Sequence, residues 1–579
     1  MSFRITCAAA LVAVALAGCA TPSQTPAAPV NFDQFANDWW SRVESIQQMP
    51  VDGLPDMSEQ ALAATQQKRL ALLNELEAVN RQQLSEQQQI NFDILKYRLK
   101  NDIDEYQFGA QYMPLTSEGG FHSDLLFAFS PERVKTKADV QNYLKRLAQV
   151  GRYIDQQMGW MQKGLANGFS QPKAVLVGYE QSIAAFIKTD ISQSPFYRPF
   201  LKKPATLSEA EYAEYAAQAR QLIQQQVQPA YQRYYDFFTK TYQPQAREAI
   251  AAQALPNGAA YYQNRLEYYT TLQMTPQQVH DIGLSEVKRI RAEMDQVIKQ
   301  TGFKGSFAEF IQFLRTDPQF YVKTPDQLLK EAAFISKKID AKLPKLFITL
   351  PRTPYGVEPV PAQIAPKYTT GRYAGSGRAG EAGYYWVNTY ALERRPLYEL
   401  EALTLHEAVP GHHLQISLAA EQSSLPSYRR DFYTSAFGEG WGLYSEYLGL
   451  EVGFYQDPYS NFGRLTYEMW RACRLVVDTG MHTMGWSRQQ AIDFLAGNTA
   501  LSMHNVTTEV DRYISWPAQA LAYKLGELTI KRLRVKASTA LGDKFDVREF
   551  HDKILENGAL PMSVLEQQID QYIEAKRKS

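Results

Sequence analysis

Three of the chain's eight histidines fall within eight residues, in the run Leu405-His406-Glu407-Ala408-Val409-Pro410-Gly411-His412-His413. Imidazoles clustered beside a carboxylate point to a metal site, and a His-Glu pair points to hydrolysis by a metal-activated water. In the common zinc-peptidase pattern His-Glu-x-x-His, the histidines share one helical face and the Glu handles the proton of the water. Position 410 is Pro, so that pattern is absent. On an unbroken helix His412 would stand about 120° from the His406 face, and His413 would share the face but lie roughly 10.5 Å along the axis. Neither placement suits one ion. Pro410, however, removes the N–H that would bond to the His406 carbonyl, its ring collides with that carbonyl, and Val409 is pushed out of helical geometry. The helix must bulge or break here, and Gly411 is free to turn a later histidine back towards His406. His412 is the favoured second ligand, with His413 in support or as the alternative.

A third protein ligand is expected from a nearby helix, and Phe437-Gly438-Glu439-Gly440-Trp441-Gly442-Leu443-Tyr444-Ser445-Glu446 supplies two carboxylates,. Glu439 follows His412 by 27 residues, room for a return loop through Leu425-Pro426-Ser427 and a second helix facing the first. Glu446, seven residues further, shares the Glu439 face and is placed to orient a ligand histidine,. The plainer alternative is that both pair with Arg429, Arg430 or Arg471. Donors for a developing oxyanion are sought on the later helices, where His504, Arg512, Tyr513 and Tyr523 are candidates,. Asp478 and His482, four apart, are able to bond to one another, and Asp478 is a further candidate to orient a ligand histidine.

The elements that must hold these groups are mostly helical. From Asn31 to about Pro344 the chain is rich in Gln, Ala, Glu, Leu and Lys, with apolar residues at three- and four-residue steps and frequent proline stops,. Many antiparallel helices are expected, the Gln-rich stretches 87–89 and 224–226 being solvated helix faces. Near Leu346 the pattern turns β-like, in Leu346-Phe347-Ile348-Thr349-Leu350 and again in Tyr384-Tyr385-Trp386-Val387-Asn388-Thr389-Tyr390, so a small sheet belongs next to the His-Glu helix,. Gly371, Gly375, Gly377 and Gly380 lack the Gly-Lys-Ser/Thr of a phosphate loop,. Lys+Arg and Asp+Glu each total 61 of 579 residues, which disfavours a uniform electrostatic grip on nucleic acid,.

The first residues read as a leader: Arg4 precedes an apolar run from Cys7 to Ala17 that is short for a permanent membrane span,. Leu16-Ala17-Gly18-Cys19 resembles the lipobox of bacterial lipoproteins. The resemblance implies cleavage before Cys19, lipidation of its thiol as the sole membrane attachment and, with Ala20 following, the outer membrane facing the periplasm. Residues 1–18 are then signal, 19–30 a tether, 31–344 a helical region covering the cleft and 345–579 the catalytic region. Cys473 is the one thiol left, so no intramolecular disulfide is expected,.

Larger blocks extend the likeness. Gly383-Tyr384-Tyr385-Trp386-Val387-Asn388-Thr389, the His406–His413 run, Gly438-Glu439-Gly440-Trp441, Val477-Asp478-Thr479-Gly480-Met481-His482, Arg512-Tyr513, Pro517 to Lys524 and Leu541 to Phe545 resemble the bacterial DUF885 family. That family is similar to gluzincin-like zinc metallopeptidases. The resemblance implies a mainly α, large multi-helix metallopeptidase-like fold whose small sheet offers an edge strand to an extended peptide, with the strand from Tyr384 to Tyr390 the expected donor. It implies Zn²⁺ on His406, His412 and Glu439, with Glu407 as general base and then general acid. The expected function is hydrolysis of short peptides in the cell envelope. A metal-dependent amide or ester hydrolase acting on another substrate, and a non-catalytic envelope lipoprotein keeping an unused metal site, are the competing readings.

Overall fold

The computed structural model describes residues 31–129, 134–362, 365, 368–375 and 381–578; the expected leader, Cys19 and tether, and Gly377 and Gly380, lie outside the described residues. The fold is mainly α, with one three-stranded sheet. Many helix starts follow from one local device. Ser85, Ser208, Thr275, Ser306 and Thr324 each cap a helix and donate their own backbone N–H to the side chain of the Gln or Glu three residues on,. Part of the glutamine content is thus capping chemistry, and Gln224, Gln225 and Gln226 face solvent between buried Ile223 and Val227.

The first three helices, Phe32–Gln47, Glu59–Glu77 and Glu86–Gln107, close around Trp39, Trp40, Leu95 and Leu99 in a core of their own, which Tyr428 joins from the second half. The main core is continuous from Leu54 to Ile573. Its axis is helix Pro458–Thr483, buried along most of its length, against which helix Pro276–Thr301 lies. Cys473, a free thiol, is buried within it. Beside it Lys524, fully buried, is held at 2.9 Å by Glu286, 2.9 Å by Glu468 and 2.7 Å by Glu527, which offsets the cost of taking its charge out of water,. Among the described residues no helix is long and apolar enough to cross a membrane.

The sheet differs from expectation in two respects. Leu346 to Leu350 is irregular, not a strand. Leu346 and Phe347 are buried while Ile348 and Leu350 are exposed. The N–H groups of Ile348 and Thr349 donate to the Asp552 carboxylate at 3.2 and 2.9 Å, satisfying donors that a sheet ladder would otherwise take,. The strands are β1 (Tyr355–Pro359), β2 (Gly371–Ala374) and β3 (Gly383–Val387), in the order β1-β3-β2. β3 pairs parallel with β1, Tyr355 opposite Gly383, and antiparallel with β2, Gly371 opposite Val387. The Tyr384–Tyr390 segment, expected to lend its edge to a peptide, is therefore the central strand, its main chain committed on both sides. It also stops early: the Asn388 amide donates to the carbonyls of Ala365, Tyr368 and Thr369 at 2.9–3.0 Å and turns the chain away. The two outer strands are β1 and β2.

Candidate metal centre

The His-Glu helix ends where Pro410 demands. Helix Leu400–Glu407 stops, the Val409–Pro410 bond is cis, and a new helix, His412–Glu421, begins after Gly411. A Cβ on Gly411 would lie 1.9 Å from the His406 carbonyl oxygen, so this close reversal admits no side chain there. The Trp441 indole donates to the Pro410 carbonyl at 2.8 Å, pinning the break to helix Ser435–Glu451.

This reversal sets the last turn of one helix against the first residue of the next. The His406 and His412 rings lie 4.8 Å apart at 82°. Glu439, one turn into helix Ser435–Glu451, brings Oε2 to 3.5 Å from His406 Nε2 and 3.4 Å from His412 Nε2. One donor atom from each of the three lies within 4.8 Å of the others. The surroundings fit a cation. His406 Nδ1 donates to Glu446 Oε1 at 2.8 Å, which leaves Nε2 aimed at Glu439. Tyr433 donates to the other Glu439 oxygen at 3.1 Å. Gly442 makes room, since a Cβ there would sit 2.6 Å from the His406 ring. Burial alone would lower the His406 pKa, but hydrogen bonds to Glu439 and Glu446 outweigh it and raise it to about 9,. Burial would likewise raise Glu439, yet the two imidazoles hold it well below the usual carboxylate range.

His413 is a correction. Consecutive residues on a helix point about 100° apart, and His413 turns away from the cluster. Its Nδ1 lies 3.0 Å from the Tyr373 hydroxyl, its Nε2 lies 3.1 Å from the Thr353 carbonyl, and burial pushes its pKa down to about 4. Of the arginine pairings weighed for the two carboxylates, Arg471 stands 3.7 Å from Glu446, whereas Arg429 bonds Asn91 and Asn557, and Arg430 bonds Leu425.

A cavity of about 520 Å³ opens beside the cluster, and Glu407 and Arg512 line it with His406, His412 and Glu439. Glu407 Oε2 accepts the backbone N–H of Tyr373 on β2 at 2.8 Å, so the outer strand β2 and the candidate proton carrier meet. Tyr523 also lines the cavity. Tyr513 and His504 do not. The Tyr513 hydroxyl is fully used, accepting from Trp470 at 2.9 Å and Arg474 at 2.8 Å and donating to Glu509 at 2.7 Å. His504 is exposed in the first turn of helix Met503–Ser515, where no packing draws it inward. Asp478 and His482 do not bond one another either. Asp478 accepts from Tyr262 at 2.6 Å, and His482 accepts the Ala252 N–H at 2.9 Å.

The sequence reading missed Tyr433, Arg372 and the pair Arg474 and Glu509, all of which line the cavity. One signal for the last pair was available. Trp470, Arg471 and Arg474 share a face of one helix, and Glu509 and Arg512 share a face of another at i, i+3,.

The model of a family described as a bacterial protein of unknown function, DUF885, matches residues 45–569. A crystal structure of a candidate lipoprotein from Colwellia psychrerythraea is similar at 28% identity and TM-score 0.86, over 94% of this chain and 98% of that one. A candidate lipoprotein of unknown function from Shewanella oneidensis shares the fold at 18% identity and TM-score 0.71, over 93% of this chain and 99% of that one. No curated protein matches the sequence.

Proposed function

The chain belongs to the bacterial DUF885 family, and we propose that it is a zinc-dependent peptidase of the cell envelope, similar to the gluzincin-like metallopeptidases. One observation carries the proposal: two imidazole nitrogens and one carboxylate oxygen from three helices converge within 4.8 Å, in a cavity that Glu407 also lines. His406, His412 and Glu439 would hold the ion. Zn²⁺ bound there supplies a Lewis acid for a scissile carbonyl and for a water.

The chain's own residues supply the rest. Glu446 keeps the His406 proton on Nδ1, so that Nε2 is the donor atom facing Glu439,. Glu407 receives a proton from water and returns it to the leaving amine, and the Tyr373 N–H holds its carboxylate in place for both transfers,. Because β3 is paired on both sides, an extended peptide must use an outer strand, and of β1 and β2 it is β2 that reaches the cluster, with Gly371, Arg372 and Tyr373 lining the cavity,. A lipid on Cys19 holds this domain at the envelope, facing the periplasm.

Metal analysis of the purified protein tests the ligand set. His406→Ala, His412→Ala and Glu439→Ala are expected to lose zinc and His413→Ala to keep it; stoichiometric zinc in Glu439→Ala would remove the site. Glu407→Gln is expected to keep the metal and lose all chelator-sensitive hydrolysis of a peptide library. Unchanged turnover in that variant, or none in the wild type, overturns the peptidase reading.

A further inference from the structure

Resting on the peptidase reading, we infer that the cavity beside the metal cluster receives a carboxylate of the substrate on a cluster of buried arginines. Four guanidinium groups line this cavity, those of Arg372, Arg471, Arg474 and Arg512. Apart from Glu407 and the ligand Glu439, its lining carboxylates are Glu118 and Glu509. Glu509 Oε2 is shared between Arg474 Nη2 at 3.0 Å and Arg512 Nη2 at 3.1 Å, one negative charge between two positive ones. Arg471 has a weaker partner still: its nearest carboxylate, Glu446, lies 3.7 Å away and is already engaged with His406 at 2.8 Å.

Arg471, Arg474 and Arg512 are buried, at 5%, 3% and 8% exposure. Arg471 Nε and Arg474 Nη1 have no hydrogen-bond partner. Buried cations left short of partners are costly unless another group completes them. Aromatic faces hold these guanidinium groups: Trp470 lies 4.5 Å from Arg471 and 4.4 Å from Arg474, and Tyr523 lies 4.2 Å from Arg474 on its own account,. A guanidinium fixed by its face presents its edge donors, the geometry that takes a carboxylate in two parallel bonds.

The neighbouring space gives the direction. A second cavity, about 960 Å³, shares Tyr373, Ile416 and Tyr433 with the first and is lined by Pro354, Ala419 and Phe432, with Glu381, Glu421 and Asp431 beside Arg352 and Arg430. The two are contiguous at Tyr373 on β2, the larger mixing apolar residues with charges of both signs and the smaller gathering the four arginines. A peptide lying across both places a carboxylate, at its C-terminus or on an acidic side chain, among the arginines.

Three probes separate the sources: N-acetylated tetra-alanine as the free acid, the same peptide as its C-terminal amide, and an amidated version with glutamate at the third position. Calorimetric binding is measured on the full chain after chelator treatment, so the result stands apart from turnover. The free acid is expected to bind about tenfold more tightly than the amide. Tighter binding of the glutamate amide alone also supports the inference and assigns the carboxylate to an acidic side chain. Arg471→Gln, which leaves the Glu509 network intact, is expected to shrink the preference, and Glu509→Gln, which removes the neutralising charge, to widen it. Equal binding of all three peptides by the wild-type chain, or a preference that neither variant moves, overturns the inference. Absence of hydrolysis with the binding preference intact overturns the peptidase reading and leaves the carboxylate site standing.

Discussion

Glu446 stands 2.8 Å from His406 Nδ1 and is nearly fully buried, so its carboxylate determines which ring nitrogen of His406 is free,. Partners of this kind typically change metal affinity about 10–100-fold. Glu446→Ala is expected at the upper end of that range and Glu446→Gln, whose amide oxygen still accepts the Nδ1 proton, near the lower end. Competition with a zinc-sensitive dye measures both, and affinity unchanged by Glu446→Ala would separate this residue from the site. Tyr433 is expected to act more weakly, through the second Glu439 oxygen 3.1 Å away. The residue types at the site could be read from sequence because His, Glu and Pro carry their chemistry locally. The sequence favoured His412 but left His413 as an alternative, since their difference is a direction set by the start of a helix.

At the scale of elements, the break between two short helices is what brings His406 and His412 together, and two contacts hold it. Trp441→Phe keeps the ring and removes the indole donor, leaving the buried Pro410 carbonyl unsatisfied at a cost of about 1–3 kcal/mol,. A lowered urea midpoint and a smaller zinc content are expected together; loss of neither would mean the break is held by other contacts. Gly411→Ala places a methyl 1.9 Å from the His406 carbonyl and is expected to abolish zinc binding, with the helical circular dichroism of the rest retained. Pro410 announced the break in sequence, because proline acts on its own turn of helix. The order of the sheet was not legible, because the pairing of β3 on both sides joins strands separated in the chain by loops whose composition says nothing of their neighbours,. Leu346 to Leu350 misled for a related reason: β-branched and apolar residues suit a strand, but here Asp552, some 200 residues away, satisfies the backbone instead,.

Across the whole molecule, buried charge is balanced by pairing. Lys524, fully buried among Glu286, Glu468 and Glu527, joins helix Pro276–Thr301 to helices Pro458–Thr483 and Ala522–Leu541. Lys524→Met is expected to destabilise the chain by about 3–5 kcal/mol, because it strands buried carboxylates, and chemical denaturation measures this. Stability against pH follows from buried groups outside the His406, His412 and Glu439 cluster. Burial lowers His551 from 6.5 to about 3 and His122 and His482 to about 4. Below pH 6.5 the unfolded chain takes up protons that the folded chain refuses, so their contribution is full above 6.5 and is lost as pH falls towards 3. His551→Gln is expected to flatten the acid side of a melting-temperature profile. Asp478 works in the opposite direction: burial raises it from 3.8 to about 7, so its contribution is present at low pH and declines as pH rises to 7. Asp478→Asn is expected to remove that decline, and a profile unchanged by either substitution would contradict the assignment.

Helix content, the break at Pro410 and the solvated glutamine faces were legible along the chain, because capping, periodicity and proline sterics act within a few residues. The convergence of His406, His412 and Glu439, the turning away of His413, the placing of His504 and Tyr513 outside the cavity lining, the strand that reaches the cluster, and the gathering of Arg372, Arg471, Arg474 and Arg512 around one cavity required the folded chain. Each of these depends on which distant helix or strand packs against the residue, and that is settled by burial of side chains far apart in sequence, not by any neighbour along the backbone.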